Sequence, residues 1–138
     1  MEIIKQGKLL CNNGKEQEEK ELPETKYLAI YFSAHWCPPC RAFTPTLSTF
    51  YEEVNAKEKL LEIIFCSSDK SQNAFTEYFS EMDWMAIPFG DERSQKLKTE
   101  FNITGIPRIL VLDSNGNIIN KNARKDIMEF GSRIIERW

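Results

Sequence analysis

The sequence predicts an α/β domain in which helices flank a central mixed β-sheet, with a β-hairpin extension at the N-terminus. Three short apolar runs rich in β-forming residues, at 27–33, 61–67 and 108–112, predict the main strands. Segments with helical spacing of apolar residues separate these runs, and a tight turn follows the third. The length of 138 residues fits a single domain over 1–138, with a core large enough to fold without a disulfide or metal.

The N-terminal segment predicts a hairpin over about residues 1–12. Residues 3–10 resemble two short strands around a Gln6-Gly7 turn. The polar stretch 11–26 is expected to form a loop. The apolar run that follows has few polar breaks, which suits a central strand covered on both faces.

The first predicted helix runs from Pro38 to about Asn55. Pro38 and Pro39 suit its first turn, where a missing N–H removes no hydrogen bond. Pro45 lies inside the helix and is expected to kink it. The apolar residues that recur at spacings of three and four are Phe43, Leu47, Phe50, Tyr51 and Val54.

The second half of the chain predicts two more helices, a β-hairpin and a final helix. Asp69 or Ser71 is expected to cap the first of these helices, and Asn115-Gly116 marks the hairpin turn. The first strand–helix–strand unit should be parallel with a right-handed crossover. The predicted elements and their inward residues are a helix with Phe75, Tyr78, Phe79 and Met82, a helix over 91–101 with Leu97 and Phe101, a return strand at 117–120, and a helix from about Asn122 to Arg137 with Ile127, Ile134 and Trp138.

Composition narrows the classes of partner. The net charge is −3, the sequence pI is about 5.3, and no Lys/Arg-rich block is present, so no nucleic-acid partner is expected. No apolar run approaches the roughly 18 residues that span a bilayer, and the N-terminus lacks the apolar core of a signal peptide. We therefore expect no membrane partner and a reducing location, cytoplasmic and/or nuclear, where a close cysteine pair indicates redox chemistry or metal.

Cys37 and Cys40 lie where a predicted strand gives way to a helix. Three residues span about one helical turn, so both sulfurs face the same side and can form a disulfide with little backbone motion. Unpaired N–H groups at a helix N-terminus favour a thiolate, which makes Cys37 the expected nucleophile. Cys40 lies one turn deeper and is expected to resolve the mixed disulfide.

Zinc binding is the alternative interpretation of this pair. Structural zinc usually takes four N or S ligands, commonly from two such pairs. Only His35, Cys11 and Cys66 could complete the set, and none of them forms a second pair. We therefore expect no metal.

Four segments carry a resemblance to a known family. They are WCPPCRAFTP (36–45), DWMAIPF (83–89), GIPRILVLDSNGNII (105–119) and NKNARKDI (120–127). They are similar to the nucleoredoxin and tryparedoxin branch of the thioredoxin superfamily, over about residues 7–130. The resemblance implies a thioredoxin fold.

The resemblance also implies a substrate face around the cysteines. Pro107 matches the family's cis-proline, which would leave the Ile106 backbone free to pair with an extended substrate segment. Trp36 matches the aromatic beside the nucleophile and would serve as a substrate platform. Pro38 and Pro39 stiffen the loop between the cysteines and belong to the same face.

Trp84 has two interpretations. Trp84, with Pro88 and Phe89, either lines the same groove or packs in the core.

Thioredoxins themselves place a buried aspartate six residues before the nucleophile, where this chain has Tyr31. A tyrosine is a poor base at neutral pH, so the proton acceptor for Cys40 is unassigned.

Arg41, Arg108 and His35 are candidates for tuning the site. Either arginine would stabilise the Cys37 thiolate or attract an anionic thiol, unless it is an ordinary surface charge. His35 is a candidate for tuning Cys37 because of its place two residues before it, although a bystander role fits it better. Cys66 is expected to be a buried inert thiol, and Cys11 has no assigned role.

The resemblance implies a thiol–disulfide oxidoreductase that reduces protein disulfides as a monomer. No bound cofactor is expected, because the Cys37–Cys40 disulfide is itself the redox group and no nucleotide-binding fingerprint is present. An NADPH-linked reductase or a glutathione-type low-molecular-weight thiol would supply electrons. The alternatives are a redox-gated protein-binding module with little turnover, and a tryparedoxin fed by a trypanothione-type dithiol.

Overall fold

The computed structural model describes residues 2–13 and 16–138, and within them one seven-stranded mixed sheet carries helices on both faces. The strand order across the sheet is β2-β1-β5-β4-β3-β6-β7. The strands are β1 (Leu9–Asn13), β2 (Glu16–Lys20), β3 (Tyr27–Ser33), β4 (Leu61–Ser67), β5 (Met85–Ala86), β6 (Arg108–Asp113) and β7 (Ile118–Asn120). The helices are α1 (Pro38–Val54), α2 (Gln72–Phe79), α3 (Glu92–Glu100) and α4 (Arg124–Phe130), with short 3-10 helices at Ile4–Gln6 and Gly131–Arg137.

Strand β3 lies at the centre of the sheet, and every one of its residues is buried. It pairs in parallel with β4, from Tyr27 opposite Leu61 to Ser33 opposite Ser67. On its other side it pairs antiparallel with β6. Its alternating side chains enter separate apolar clusters on the two faces of the sheet. The predicted central strand, its parallel neighbour and the mixed sheet are confirmed.

The predicted N-terminal hairpin is misplaced. Residues around Gln6 form a 3-10 turn, and the hairpin joins β1 to β2, with Leu9 opposite Lys20. Part of the predicted loop 11–26 is therefore strand. Met1, Gly14 and Lys15, which fall within the predicted hairpin and loop, lie outside the described residues.

A buried arginine explains the error. The Arg93 guanidinium on α3 donates to the backbone carbonyls of Ile4 (2.8 Å), Gly7 (2.8 Å) and Lys8 (2.7 Å). These bonds occupy acceptors that a hairpin around Gly7 would need. Contacts with a residue far along the sequence thus override the local preference for a turn at Gln6-Gly7.

Helix α1 follows its prediction, with Pro45 inside it. Ser71 caps α2, because its Oγ accepts a hydrogen bond from the Ala74 N–H at 3.1 Å. The predicted final helix is divided at Gly131, whose φ of 58° lies in the left-handed region, into α4 and a 3-10 segment. Trp138 still packs inward, edge-on to Tyr27.

Strand β5 is absent from the sequence-based prediction. It has only two residues, yet it joins β4 to β1, with Met85 opposite Ile64 and Ala86 opposite Leu10. A strand of two residues is too short to show the alternation of apolar and polar residues that predicts a strand. Its pairing links the N-terminal hairpin to the rest of the sheet.

Candidate active site

The site begins where β3 ends. The chain leaves the sheet after Ser33, and Cys37 becomes the N-cap residue of α1 with extended backbone angles. Its N–H donates to the Ala34 carbonyl at 3.2 Å, and its carbonyl accepts the Arg41 N–H at 3.1 Å. Cys37 is therefore held at the amide end of a 17-residue helix.

The two cysteines differ in accessibility. Cys37 is 5% exposed and Cys40 is fully buried, and the Cys40 thiol points at the Cys37 sulfur with 2.6 Å between the atoms. Burial, followed by the hydrogen bond with Cys37, raises the pKa of Cys40 to about 11. Burial therefore favours the neutral thiol form of Cys40, and Cys37 is the more exposed of the two sulfurs.

The predicted cis-proline is present. The Ile106–Pro107 peptide bond is cis, and Pro107 is buried. The half-buried Ile106 side chain packs against the cluster formed by Ala34, Cys37 and Cys40. The structure thus brings the loop before β6 against the cysteine pair.

Trp36 is a surface residue, 53% exposed. Its Nε1 donates to the Ser68 carbonyl at 2.9 Å, and the Lys70 ammonium lies 5.7 Å from its ring centroid. Pro38 and Pro39 are also exposed. An open face of aromatic and imino rings therefore borders Cys37.

Asp69 holds the segment before Cys37, a role that sequence reasoning missed. Its Oδ1 accepts the His35 N–H at 2.7 Å, and its Oδ2 accepts the Ser67 hydroxyl at 2.7 Å. Its own N–H donates to Ser67 Oγ at 2.8 Å. The sequence placed Asp69 as a possible helix cap, whereas the structure uses it to tie the approach to Cys37 onto the end of β4.

The three tuning candidates lie in different settings. The half-buried His35 ring stacks on Tyr78, with 5.5 Å between ring centroids. The Arg108 Nε donates to the Lys121 carbonyl at 3.1 Å, which holds that side chain beside the segment after β7. Arg41 is exposed on the first turn of α1. Their effects on Cys37 stay predictions.

Trp84 belongs to the core, so the groove interpretation is wrong for it. It is 1% exposed and packs edge-on against Tyr31 and Tyr51, with centroid distances of 6.1 and 5.6 Å. Phe89 is half-buried and packs on Phe75 at 6.1 Å. Pro88 is likewise half-buried.

The remaining cysteines are apart from this chemistry. Cys66 is buried, and burial raises its pKa to about 11, as expected of an inert thiol. Cys11 is half-buried on β1. Across residues 2–13 and 16–138, no group of three or more His, Cys, Asp or Glu side chains is arranged to hold a metal ion. None of the helices in the described part of the chain has the length and apolarity to cross a membrane.

A dithiol at a strand-to-helix junction, beside a cis-proline in a mixed sheet, defines the thioredoxin class of redox protein. The thioredoxin-like family model matches residues 24–118, and the chain belongs to that family. Nucleoredoxin from Danio rerio is 43% identical over 123 residues, which are 88% of this chain and 29% of that protein. Probable nucleoredoxin 1 from Arabidopsis thaliana is 45% identical over 78% of this chain and 18% of its own length. The chain thus spans less than a third of these curated relatives.

Solved structures agree with this assignment. A thioredoxin from Wuchereria bancrofti superposes with a TM-score of 0.82 and 37% identity, over 98% of this chain and 95% of its own. Tryparedoxin I from Leishmania major gives a TM-score of 0.85 with 30% identity, over 97% and 92% of the two chains. The thioredoxin fold is thereby confirmed, within a family of thiol–disulfide oxidoreductases.

Proposed function

We propose that the chain reduces protein disulfides through a Cys37–Cys40 dithiol/disulfide cycle. The observation that carries the proposal is the position of Cys37 at the amide end of α1, with the protonated Cys40 directly behind it. A helix N-terminus stabilises a thiolate, and the thiolate is the attacking species. The second thiol is then placed to resolve the intermediate.

The cycle has two displacement steps. The Cys37 thiolate attacks the substrate disulfide, forms a mixed disulfide, and releases the first substrate sulfur as a thiolate that takes a proton from water. Cys40 then bonds to Cys37 and breaks the mixed disulfide, and the second substrate sulfur leaves and is protonated. The substrate gains two electrons, and the protein is left with the Cys37–Cys40 disulfide.

The substrate face supports a protein rather than only a small disulfide. Trp36 is exposed beside Cys37, with Pro38 and Pro39 next to it. On the other side, the cis Ile106–Pro107 bond contributes a backbone strip against which an extended segment can pair. We assign substrate binding to these five residues.

The electron donor is an NADPH-linked reductase or a low-molecular-weight thiol. Among the structural relatives, one structure is titled tryparedoxin II complexed with glutathionylspermidine, with a TM-score of 0.79 and 36% identity over 89% of this chain. That likeness supports a small thiol donor. A reducing compartment, cytoplasmic or nuclear, would keep the pair as a dithiol between turnovers.

Mixed-disulfide trapping tests the proposal. The Cys40→Ser protein is expected to hold protein substrates on Cys37, whereas the matched Cys37→Ser protein holds few. Turnover of a protein disulfide is then measured with thioredoxin reductase and NADPH, with glutathione, and with trypanothione in separate assays. Equal trapping by both variants would overturn the role assignment. Partner binding that changes with oxidation, together with negligible turnover in all three assays, would favour the redox-gated binding module.

A further inference from the structure

The surface around Cys37 is basic, although the chain as a whole is acidic. The whole chain carries 18 Lys and Arg residues against 21 Asp and Glu residues. Three segments border Cys37, and they are residues 34–41, 67–71 and 104–108. Together they contain three basic residues and one acidic residue, apart from a histidine. We call the three basic residues the basic rim, and they are Arg41, Lys70 and Arg108.

The basic rim surrounds the cysteine pair from three structural elements. Lys70 lies in the loop that follows β4, Arg41 lies in the first turn of α1, and Arg108 is the first residue of β6. Strands β4 and β6 pair with opposite sides of β3, the strand that leads into the cysteine motif. Lys70 and Arg108 therefore flank the site from opposite sides.

No carboxylate of the chain neutralises the basic rim in the part that the structure describes. The basic residues that form ion pairs there are Lys20, Lys59, Arg93 and Lys96. Asp69 is next to Lys70 in sequence, but its two oxygens accept the His35 N–H and the Ser67 hydroxyl. The charges of the basic rim are therefore available to a partner.

Lys70 lies beside the aromatic surface to which we assign substrate binding. The Trp36 indole N–H donates to the Ser68 carbonyl at 2.9 Å, which ties the ring to the loop that carries Lys70. The Lys70 ammonium is 5.7 Å from the ring centroid, within the range of a cation–π contact. Its side chain is exposed. A substrate segment that packs on Trp36 therefore meets this ammonium.

Arg108 is held in place on the other flank. It is half-buried, and its Nε donates to the Lys121 carbonyl at 3.1 Å. That bond uses one of the five N–H donors of the guanidinium, whose planar fork matches a carboxylate. Arg41 adds an exposed cation on α1. Both flanks of the site thus present charged donors that suit carboxylate oxygens.

We propose that the basic rim selects acidic protein substrates, with Lys70 as the residue that binds a carboxylate next to the substrate disulfide. This inference rests on the proposed function and names its substrate class. The occupant is an extended acidic segment, because the backbone before Pro107 can pair with an extended chain while side chains beside the disulfide reach the rim. The ammonium and guanidinium groups attract acidic side chains and repel basic ones.

Substrate peptides of different charge test the proposal. Three disulfide-bonded peptides are identical except at the residue beside the cysteine, which is glutamate, glutamine or lysine. Single-turnover reduction by the reduced protein is measured at low ionic strength by rapid mixing and acid quenching. We expect the glutamate peptide to react at least about fivefold faster than the lysine peptide, since one exposed ion pair alone contributes up to about fivefold. The glutamine peptide is the neutral reference.

Charge reversal at Lys70 should reverse this preference. Lys70→Glu turns attraction into repulsion for the glutamate peptide and does the opposite for the lysine peptide, so the rate ratio should fall at least about fivefold. Lys70→Arg keeps the charge and should keep the ratio. Raising the salt concentration to about 0.5 M should bring the ratio of the unsubstituted protein towards one, because salt screens exposed charges.

The matched control is Lys57→Glu, which makes the same change in net charge at an exposed lysine. Lys57 lies beyond the C-terminal end of α1, whose 17 residues span about 25 Å from the cysteine motif. This variant should keep the ratio of the unsubstituted protein. The ratio compares peptides that meet the same thiolate, so a change in the reactivity of Cys37 cancels.

The outcomes separate this inference from the proposed function. An unchanged ratio in Lys70→Glu, or an equal change in Lys57→Glu, overturns the role of Lys70. A parallel loss of rate with all three peptides also overturns it, because that result places Lys70 in the reactivity of Cys37. An effect on oxidised glutathione without an effect on the peptides overturns the assignment to protein substrates. Failure of the unsubstituted protein to reduce any of the peptides overturns the proposed function itself.

Discussion

The Asp69 carboxylate accepts the backbone N–H of His35 at 2.7 Å, and this bond joins the segment that leads into Cys37 to the end of β4. The same carboxylate accepts the Ser67 hydroxyl. The position of the nucleophile therefore depends on a side chain that lies outside the cysteine motif. Removing this carboxylate should loosen the approach to Cys37 without changing either cysteine.

We expect Asp69→Ala to lower the free energy of unfolding by about 1–3 kcal/mol, because the His35 N–H loses a charged acceptor. The same change should slow disulfide reduction through Cys37, since the nucleophile is less well held. Urea denaturation and single-turnover reduction measure the two effects. The control is Asp83→Ala, which removes an exposed aspartate. Equal behaviour of the two variants would contradict the role of Asp69.

Arg93 should be a major contributor to the stability of the N-terminal segment. It is 4% exposed and donates to three backbone carbonyls as well as to Asp91. Arg93→Ala leaves those buried acceptors without their donor, so we expect a loss of at least about 3 kcal/mol in the free energy of unfolding. Amide hydrogen exchange should accelerate in residues 4–13 more than in β3.

Two control variants sharpen this prediction. Arg133→Ala removes an exposed arginine and should change stability by less than about 0.5 kcal/mol. Arg93→Lys keeps the charge but loses the planar fork that reaches several acceptors at once, so it should rescue only part of the loss. Full rescue by lysine would show that charge alone matters.

Gly131 marks the break between α4 and the final 3-10 helix, and its φ of 58° is unfavourable for residues with a side chain. A Cβ at this position would meet nothing within 4 Å, so only the backbone opposes substitution. We expect Gly131→Ala to destabilise the protein by about 1–2 kcal/mol. Gly105 also has open space but no positive φ, and Gly105→Ala should be neutral or slightly stabilising. Because neither position is crowded, the difference in thermal unfolding between the two variants measures the effect of the positive φ at Gly131.

The elements that could be predicted from the sequence are those whose signal is local and long. Strands β3 and β4 are mainly apolar runs, and α1 shows its helical period over about three turns, so their bounds agree with the prediction within a residue or two. The N-terminal hairpin could not be placed, because Arg93, far along the chain, holds the residues around Gly7 in another conformation. Strand β5 is too short to show alternation.

The residues of the candidate site also differ in whether a local sequence signal identifies them. Cys37, Cys40 and the cis bond before Pro107 could be read from contiguous motifs and the resemblance they carry. The role of Asp69 could not, because in its own segment this residue resembles an ordinary helix cap. Only the folded chain brings its carboxylate to 2.7 Å from the His35 N–H, 34 positions earlier in the sequence.

The same substitution should cost much less stability at Trp36 than at Trp84. Trp36 is 53% exposed, and its indole N–H bonds only to the Ser68 carbonyl, so Trp36→Ala should change the free energy of unfolding by about 1 kcal/mol or less. Trp84 fills the core between Tyr31 and Tyr51, so Trp84→Ala should cost about 3–5 kcal/mol. Chemical denaturation checks both values.

Replacement of Trp36 should affect substrate binding more than stability. If Trp36 is the platform on which a protein substrate rests, its removal should lower kcat/KM for a protein disulfide about five- to tenfold, as loss of a contact worth ~1–1.4 kcal/mol does. Reduction of a small aromatic disulfide, which needs only Cys37, should change little. Trp36→Phe should recover most of the loss, because the ring rather than the N–H supplies the contact. An equal decline for protein and small disulfides would place Trp36 in the chemistry of the cysteines instead of in substrate binding.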